Sequence, residues 1–331
     1  MSENKELQVN EISPVATPRL KPEGPWRIAW NRFRKNKIAV AGAIGFILIV
    51  LSVIIVPMIY SFNLFKDMEG VTTGELIKET LFVDLRAHGF ELRNANLPPS
   101  REYPLGTDRQ GRDVMFRLFY GGRISLLVGV LTAIITVSLG TLVGGVAGYY
   151  GGWVDSVLMR FAEIVISIPF LPTMIAIAAA LRWVPSERSI FVVVFVVGIL
   201  SWPGLARIVR GQILSLREQE FMLATEILGI SDVSRIVKHL LPNVLAYIIV
   251  SATLGMGSAI LLEAGLSFLG LGVTPPMPSW GNMINLARNA TVFENYPWMW
   301  VPPGVMIIFT VISVNLLGEG LRDAFDPKEI R

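Results

Sequence analysis

The sequence predicts an all-α integral membrane protein of six transmembrane helices with both termini cytoplasmic, and three observations predict it. Of its 331 residues 52% are hydrophobic and 17% charged, with a mean hydropathy of +0.55, a balance suited to lipid rather than water. The apolar residues gather into six runs long enough to cross a bilayer. Lys and Arg gather on one side of those runs. Seventeen of the 29 fall in the N-terminal segment, around Arg160, between Arg207 and Lys238 and in the C-terminal tail, against three (Arg182, Arg188, Arg288) in the opposite short connections.

Residues 1–37 form a polar, basic tail with no apolar core and no small-residue cleavage site, so the first apolar run is expected to stay as an anchor. Within the tail Pro25, Trp26, Ala29, Trp30 and Phe33 recur at helical spacing among Arg27, Arg32, Arg34, Lys35 and Lys37. This is the pattern of an amphipathic helix in the cytoplasmic interface; a basic stop that only sets topology is the alternative, and the two are compatible. Residues 38–60 hold fourteen Ile, Leu, Phe or Val and no charge. At roughly −0.3 to −0.6 kcal/mol each at a helix centre, they favour insertion by several kcal/mol. Residues 61–123 are too polar for lipid and carry turn formers such as Pro98, Pro99, Pro104 and Gly106, so they read as an extracytoplasmic subdomain. Residues 124–318 make the core, with spans at 124–147, 164–181, 190–209, 243–262 and 301–317 and a cytoplasmic loop at 207–242. Residues 319–331 are a cytoplasmic tail.

Several function classes fall away. Basic residues are spread between apolar runs, which argues against nucleic-acid binding. The chain has no cysteine and two histidines, His88 and His239, which excludes disulfides, Cys-based metal sites and an H-E-x-x-H zinc centre. No Lys follows a Gly, so a phosphate-cradling G-x-x-x-x-G-K loop is absent. There is no G-x-S-x-G elbow and no Asp within a span, so an enzyme is not expected. Gly144, Gly145, Gly148, Gly151 and Gly152 lack the strand-to-helix context of a dinucleotide site and read as close helix packing followed by a tight turn. The span interiors hold no ionisable residue. Glu163 and Glu263 fall at span ends, which reads as helix-end or interfacial placement, and Asn315 is the main polar side chain of the last span. An ion-coupled carrier or standalone channel is disfavoured by that absence; a membrane scaffold or receptor working through its outer loop is a third reading.

The most informative segment is 218–243, EQEFMLATEILGISDVSRIVKHLLPN. It predicts two short helices. In the first, Phe221, Ala224, Thr225 and Leu228 share a face, Glu218, Glu220 and Glu226 stay polar, and Gly229 ends the helix in a left-handed cap. Ser231 is placed to cap the second, whose stripe is Val233, Ile236, Val237, Leu240 and Leu241, with Pro242 at the bend into the fifth span. Such a helix–Gly–helix at a membrane edge is either a docking element for a grooved partner or a loop packed on its own bundle.

The segment resembles the E-A-A-x3-G-x9-I-x-L-P loop of bacterial ABC import permeases. The match falls on Leu223, Ala224 and Thr225, on Gly229, on His239, and on Leu241 and Pro242; Leu223 stands for the acid, Thr225 for the second alanine and His239 for the isoleucine. Four further stretches resemble the C-type permease subunit of the dipeptide/oligopeptide branch: PLGTDRQGRDVMFRLFYGGRISL (104–126), GGWVDSVLMR (151–160), EAGLSFLGLGVTPPMPSWGNMI (263–284) and GEGLRDAFDPK (318–328). The likeness runs from Trp26 to the C-terminus and is weak over 61–98. It implies the ABC importer permease fold in a bacterial or archaeal cytoplasmic membrane. It also implies a heterodimer with a second, homologous permease, two cytoplasmic ATPases holding ATP and Mg, and an extracytoplasmic binding protein delivering a di- or oligopeptide. No cofactor is implied on this chain. The ATPase-coupling interface it implies comprises Glu220, Phe221, Met222, Leu223, Ala224, Thr225, Leu228, Gly229, His239, Leu241 and Pro242, with apolar contact in place of a salt bridge at Leu223. The same branch includes permeases for nickel chelates, glutathione and other small solutes. Asp108, Arg109, Gly111, Arg112 and Asp113, at the outer start of the second span, read as a capped, charged helix start, with direct peptide contact as the alternative.

Overall fold

The structure is a computed structural model that describes residues 25–65, 92–180, 185–275 and 277–325. Among these residues there is no β-strand, only an isolated bridge between Thr107 and Asp113. Helix α1 (Pro25–Lys35) is followed by α2 (Lys37–Phe65), the first span. The second span is α3 (Val114–Tyr150) and the third is α4 (Gly152–Ser167) with α5 (Phe170–Ala180). The fourth is α6 (Ser186–Arg217), and the short α7 (Glu220–Ile227) precedes the fifth, α8 (Asp232–Phe268). Two small helices, α9 (Trp280–Ile284) and α10 (Ala290–Asn295), lead to the sixth span, α11 (Val301–Phe325).

The apolar runs lie inside longer helices than their hydropathy marks out, because helix continues past the lipid-soluble stretch wherever caps or packing support it. The polar connection expected at 61–123 is shortened at both ends, to 66–113, of which 66–91 lie outside the described residues. At its far end the Asp113 side chain accepts from the amides of Met115 at 2.7 Å and Phe116 at 3.2 Å, which starts α3. The third span is not one helix over 164–181. It starts at Gly152 and bends by 76° between α4 and α5. Ile168 is extended (φ −72°, ψ 119°) because it precedes Pro169, and a residue before proline is pushed out of the helical region.

Packing sets the topology. Gly140, Gly144 and Gly148 recur every four residues on α3 and meet α6. A Cβ at Gly140 would lie 2.9 Å from Leu205 Cβ, one at Gly144 would overlap the Ala206 carbonyl, and one at Gly148 would lie 2.9 Å from the Arg210 carbonyl. Contacts therefore advance in the same direction along both helices, which makes the second and fourth spans parallel, so the bent third span crosses between them. At Gly151 and Gly152, both at positive φ, the chain turns from α3 into α4. The remaining neighbours are antiparallel: Gly42 and Gly45 of α2 face Ser313 of α11, Gly320 of α11 faces Ala39, and Gly318 faces Leu254 of α8. Helix α1 buries Ala29 and Phe33 against Ala39 and Ala324 and leaves Trp30 exposed. The Trp26 side chain lies outside the described residues. The starts of α1 and α2 and the end of α11 thus share one end of the bundle with α7, and residues 92–113 and 269–300 occupy the other.

The longer helices also carry ionisable groups just beyond the apolar runs. Pro57 in α2 has no N–H for the carbonyl of Val53, and Arg123 of α3 supplies the donor, from Nε at 2.7 Å. Its Nη2 reaches the Ile54 carbonyl at 2.9 Å. Glu263 is fully buried among packed helices in the last turns of α8. Glu163 is exposed and paired with Arg160 at 2.9 Å.

Candidate functional site

The elbow between the fourth and fifth spans is built from its cap outward. In α7 the amide of Gly229 donates to the carbonyl of Glu226 at 2.9 Å and that of Ile230 to the carbonyl of Thr225 at 3.1 Å. This pair of hydrogen bonds with Gly229 at φ +66° is a Schellman cap, the left-handed cap the sequence predicts. Ser231 occupies the N-cap position of the next helix, but its side chain makes no capping bond. Residues 235–240 are π-helical, with the Leu241 amide reaching back to the Ile236 carbonyl. Pro242 therefore makes no break: the wider π turn lifts the proline ring off the preceding carbonyls, and α8 runs on through it.

Helix α7 has two unlike faces. Met222 and Thr225 point inward, and the Thr225 hydroxyl donates to the Met222 carbonyl at 2.6 Å. Met222 and Leu240 pack with Leu205, Val209 and Ile213 of α6 and Val244 and Ile248 of α8, with Val137 and Tyr149 of α3 alongside. Leu223, Ile227 and Leu228 are 60, 79 and 76% exposed, beside exposed Phe221, Ala224 and Glu220. Met222 and Thr225 accordingly anchor the elbow instead of presenting themselves to a partner, while Ile227 joins the outward face without having been singled out by the sequence. Gly229 and Pro242 are exposed, and His239 and Leu241 half-buried. On the second helix Val233 and Val237 are exposed while Leu240 is buried, so the predicted stripe divides between solvent and core.

Polar contacts lock the elbow to three spans. Arg235 pairs with Glu226 of α7 at 3.0 Å and with Asp232 at 3.6 Å, and its guanidinium lies 5.5 Å from the ring centroid of Tyr149 at the end of α3. The Tyr149 hydroxyl donates to Asp232 at 2.7 Å. Arg217, at the end of α6, donates to the Tyr149 carbonyl at 3.0 Å and so covers an end carbonyl of α3. Arg210 of α6 holds Asp155 of α4 through Nε at 2.9 Å. Sequence reasoning missed Tyr149, Arg217 and Arg235 as members of the site, because their partners lie far along the chain and no local pattern joins them.

At the opposite end, Asp108 is buried and accepts from the amides of Gln110 at 2.8 Å and Arg112 at 3.0 Å, from Arg112 Nε at 2.7 Å and from Arg117 Nη1 at 3.0 Å. Gly111 turns the chain at φ +76°. Asp108, Gly111, Arg112 and Asp113 thus build the start of α3, as the structural reading of that segment expects, and Arg109 alone of the five is exposed.

An all-helical bundle with a broken third span, a parallel glycine-packed pair and an apolar elbow clamped to the ends of its spans is the architecture of a polytopic membrane protein. Among the described residues no group of three or more His, Asp or Glu is arranged to hold a metal. Residues 140–331 match the family model of the binding-protein-dependent transport system inner membrane component, and residues 24–71 match that of the N-terminal TM domain of oligopeptide transport permease C. The oligopeptide transport system permease protein OppC of Bacillus subtilis is 37% identical over 303 residues, 92% of this chain and 90% of its own. The dipeptide transport system permease protein DppC of the same organism is 38% identical over 300 residues, 91% and 85% of the two chains. OppC of Haemophilus influenzae is 37% identical over 304 residues, 92% and 89%. The chain belongs to the binding-protein-dependent transport permease family, in its dipeptide/oligopeptide C-type branch.

Proposed function

We propose that this chain is one permease subunit of an ATP-driven importer of di- and oligopeptides in a bacterial cytoplasmic membrane. It forms half of a pathway with a second, homologous permease. Two cytoplasmic ATPases, which hold ATP and Mg, bind at the elbow, and an extracytoplasmic protein delivers the peptide. Both termini and the elbow then face the cytoplasm, and the basic face of α1 lies along the inner leaflet. The observation that carries this reading is the outward face of Leu223, Ile227 and Leu228, exposed at the tip of a helix whose other face is anchored in the bundle. Burial of each such side chain in a partner's groove is worth about 1.5–3 kcal/mol. Closure of the ATPases on ATP would displace α7, and Met222 and Leu240 would pass the push to the second, fourth and fifth spans as rigid bodies, alternating access to the pathway.

The chain has no cysteine, so an Ile227→Cys variant carries a single thiol. In the co-purified complex it is expected to crosslink to the ATPase in a nucleotide-dependent manner, and ligands that are true substrates are expected to stimulate ATP hydrolysis. A complex in which Ile227→Cys finds no nucleotide-hydrolysing neighbour overturns the reading.

A further inference from the structure

The far end of the fifth span holds a buried polar cluster that takes no part in the elbow. Glu263 of α8 is fully buried, with Ser125 of α3, Ser267 of α8 and Ser279 at the start of α9 buried around it. The Ser125 hydroxyl donates to Glu263 Oε2 at 3.2 Å and the Ser267 hydroxyl to Oε1 at 2.6 Å. Each of these hydroxyl oxygens also accepts a backbone N–H from the segment that re-enters the bundle after α8. Val273 donates to Ser267 at 3.2 Å and Trp280 to Ser125 at 3.1 Å.

A serine hydroxyl has one proton and two lone pairs. With the proton directed at Glu263, the lone pairs are free to face the amides. One carboxyl group therefore orients two hydroxyls, and each hydroxyl holds one amide of residues 273–280. Behind them Trp280 is wholly buried, its Nε1 donating to the Leu118 carbonyl at 2.8 Å. The helix that carries Glu263 is the same uninterrupted α8 whose first turns form the elbow, with Leu240 in the elbow core.

We infer that Glu263 is the positioning residue through which the fifth span grips the outer segment 271–284, so that a displacement of the elbow moves the outer mouth of the bundle together with α8. The nucleotide-driven part of this inference rests on the ATPase reading above; the grip does not.

The test is hydrogen exchange, read by mass spectrometry over residues 271–284 in the assembled complex. In Glu263→Gln one acceptor oxygen is replaced by a donor, and exchange at Val273 and Trp280 is expected to speed by about tenfold or more, while α7 and the α3–α6 pair exchange as in the parent protein. Unchanged exchange over 271–284 in folded Glu263→Gln overturns the grip. Should that variant fail to fold, Ser125→Ala and Ser267→Ala decide the matter: each is expected to expose its own amide, Trp280 or Val273, and loss of protection spread evenly over the chain overturns the assignment. For the transmission, the parent complex is expected to exchange differently over 271–284 in nucleotide-free and nucleotide-trapped states. Glu263→Gln is expected to abolish that difference with the ATPases still bound. No difference in the parent, or the same difference in the variant, overturns the transmission. If no ATPase co-purifies, the importer reading fails by itself, and exchange in the Glu263→Gln permease alone still decides the grip.

Discussion

Replacing Gly229 separates backbone strain from bulk at the elbow. The residue sits at φ +66°, and a Cβ added there meets nothing within 4 Å, so a side chain fits while the backbone resists it. The left-handed conformation costs an ordinary L-residue roughly 1–2 kcal/mol, less for Asn, whose short polar side chain tolerates it, and most for a β-branched residue. Against this stand two cap hydrogen bonds, at 2.9 and 3.1 Å. Each contributes about 1 kcal/mol net. A β-branched residue therefore brings the strain up to the whole worth of the cap and releases the link between α7 and α8. Exchange of the Gly229-position and Ile230 amides is expected to rise in the order Asn, Ala, Val, by about tenfold for Ala, the equivalent of 1.4 kcal/mol. Peptide uptake into proteoliposomes is expected to fall in the same order, with complex yield unchanged. Full uptake with Gly229→Val refutes the reasoning. So does a loss in Gly229→Asn equal to that in Gly229→Val, since the damage would then follow the mere presence of a side chain and not its backbone preference.

Other positions give equally direct outcomes. Gly148→Ala, whose Cβ would stand 2.9 Å from the Arg210 carbonyl, is expected to cost about 1–3 kcal/mol and lower the Tm in detergent, whereas Gly211→Ala, with open space at its Cβ, is expected to be neutral or stabilising by up to about 1 kcal/mol. Asp108→Asn leaves Arg117 buried without its counter-charge, their side chains being 3 and 8% exposed, and is expected to cost about 3–5 kcal/mol. Adding Arg117→Gln to it is expected to cost less than the two single changes together, as read by a denaturation cycle. Arg123→Leu orphans the Val53 carbonyl at an expected cost of about 1–3 kcal/mol, and Pro57→Leu, which restores a backbone N–H in α2, is expected to recover much of that in the double variant.

Much of the fold is legible in the residues because its determinants are local. Lipid cannot hydrogen-bond a backbone, so long apolar runs become helices whatever they pack against; five of the six are single helices and the third is a bent pair. The Gly229 cap and the Asp113 start of α3 are likewise short-range chemistry, readable from a residue and its neighbours. The bend of the third span carries its signal in Ile168-Pro169, but a run of apolar residues on both sides hides it from any count of hydropathy. The faces of α7 are harder. Its eight residues give barely two turns, so the stripe that includes Phe221, Ala224, Thr225 and Leu228 is not separable from the one that holds Met222 until the bundle supplies a core to bury one of them.

What the sequence determines by itself is solvent and local backbone chemistry: which stretches must be helical in lipid, which end is basic, and where a glycine ends a helix. What only the tertiary structure decides is which polar groups meet. Glu263 and Ser125 are 138 residues apart, Tyr149 and Asp232 are 83 apart, and nothing in either neighbourhood names the other. A buried carboxyl group or guanidinium is stable only with partners at hydrogen-bond distance, and those partners exist only once α3, α6 and α8 have packed through their glycines.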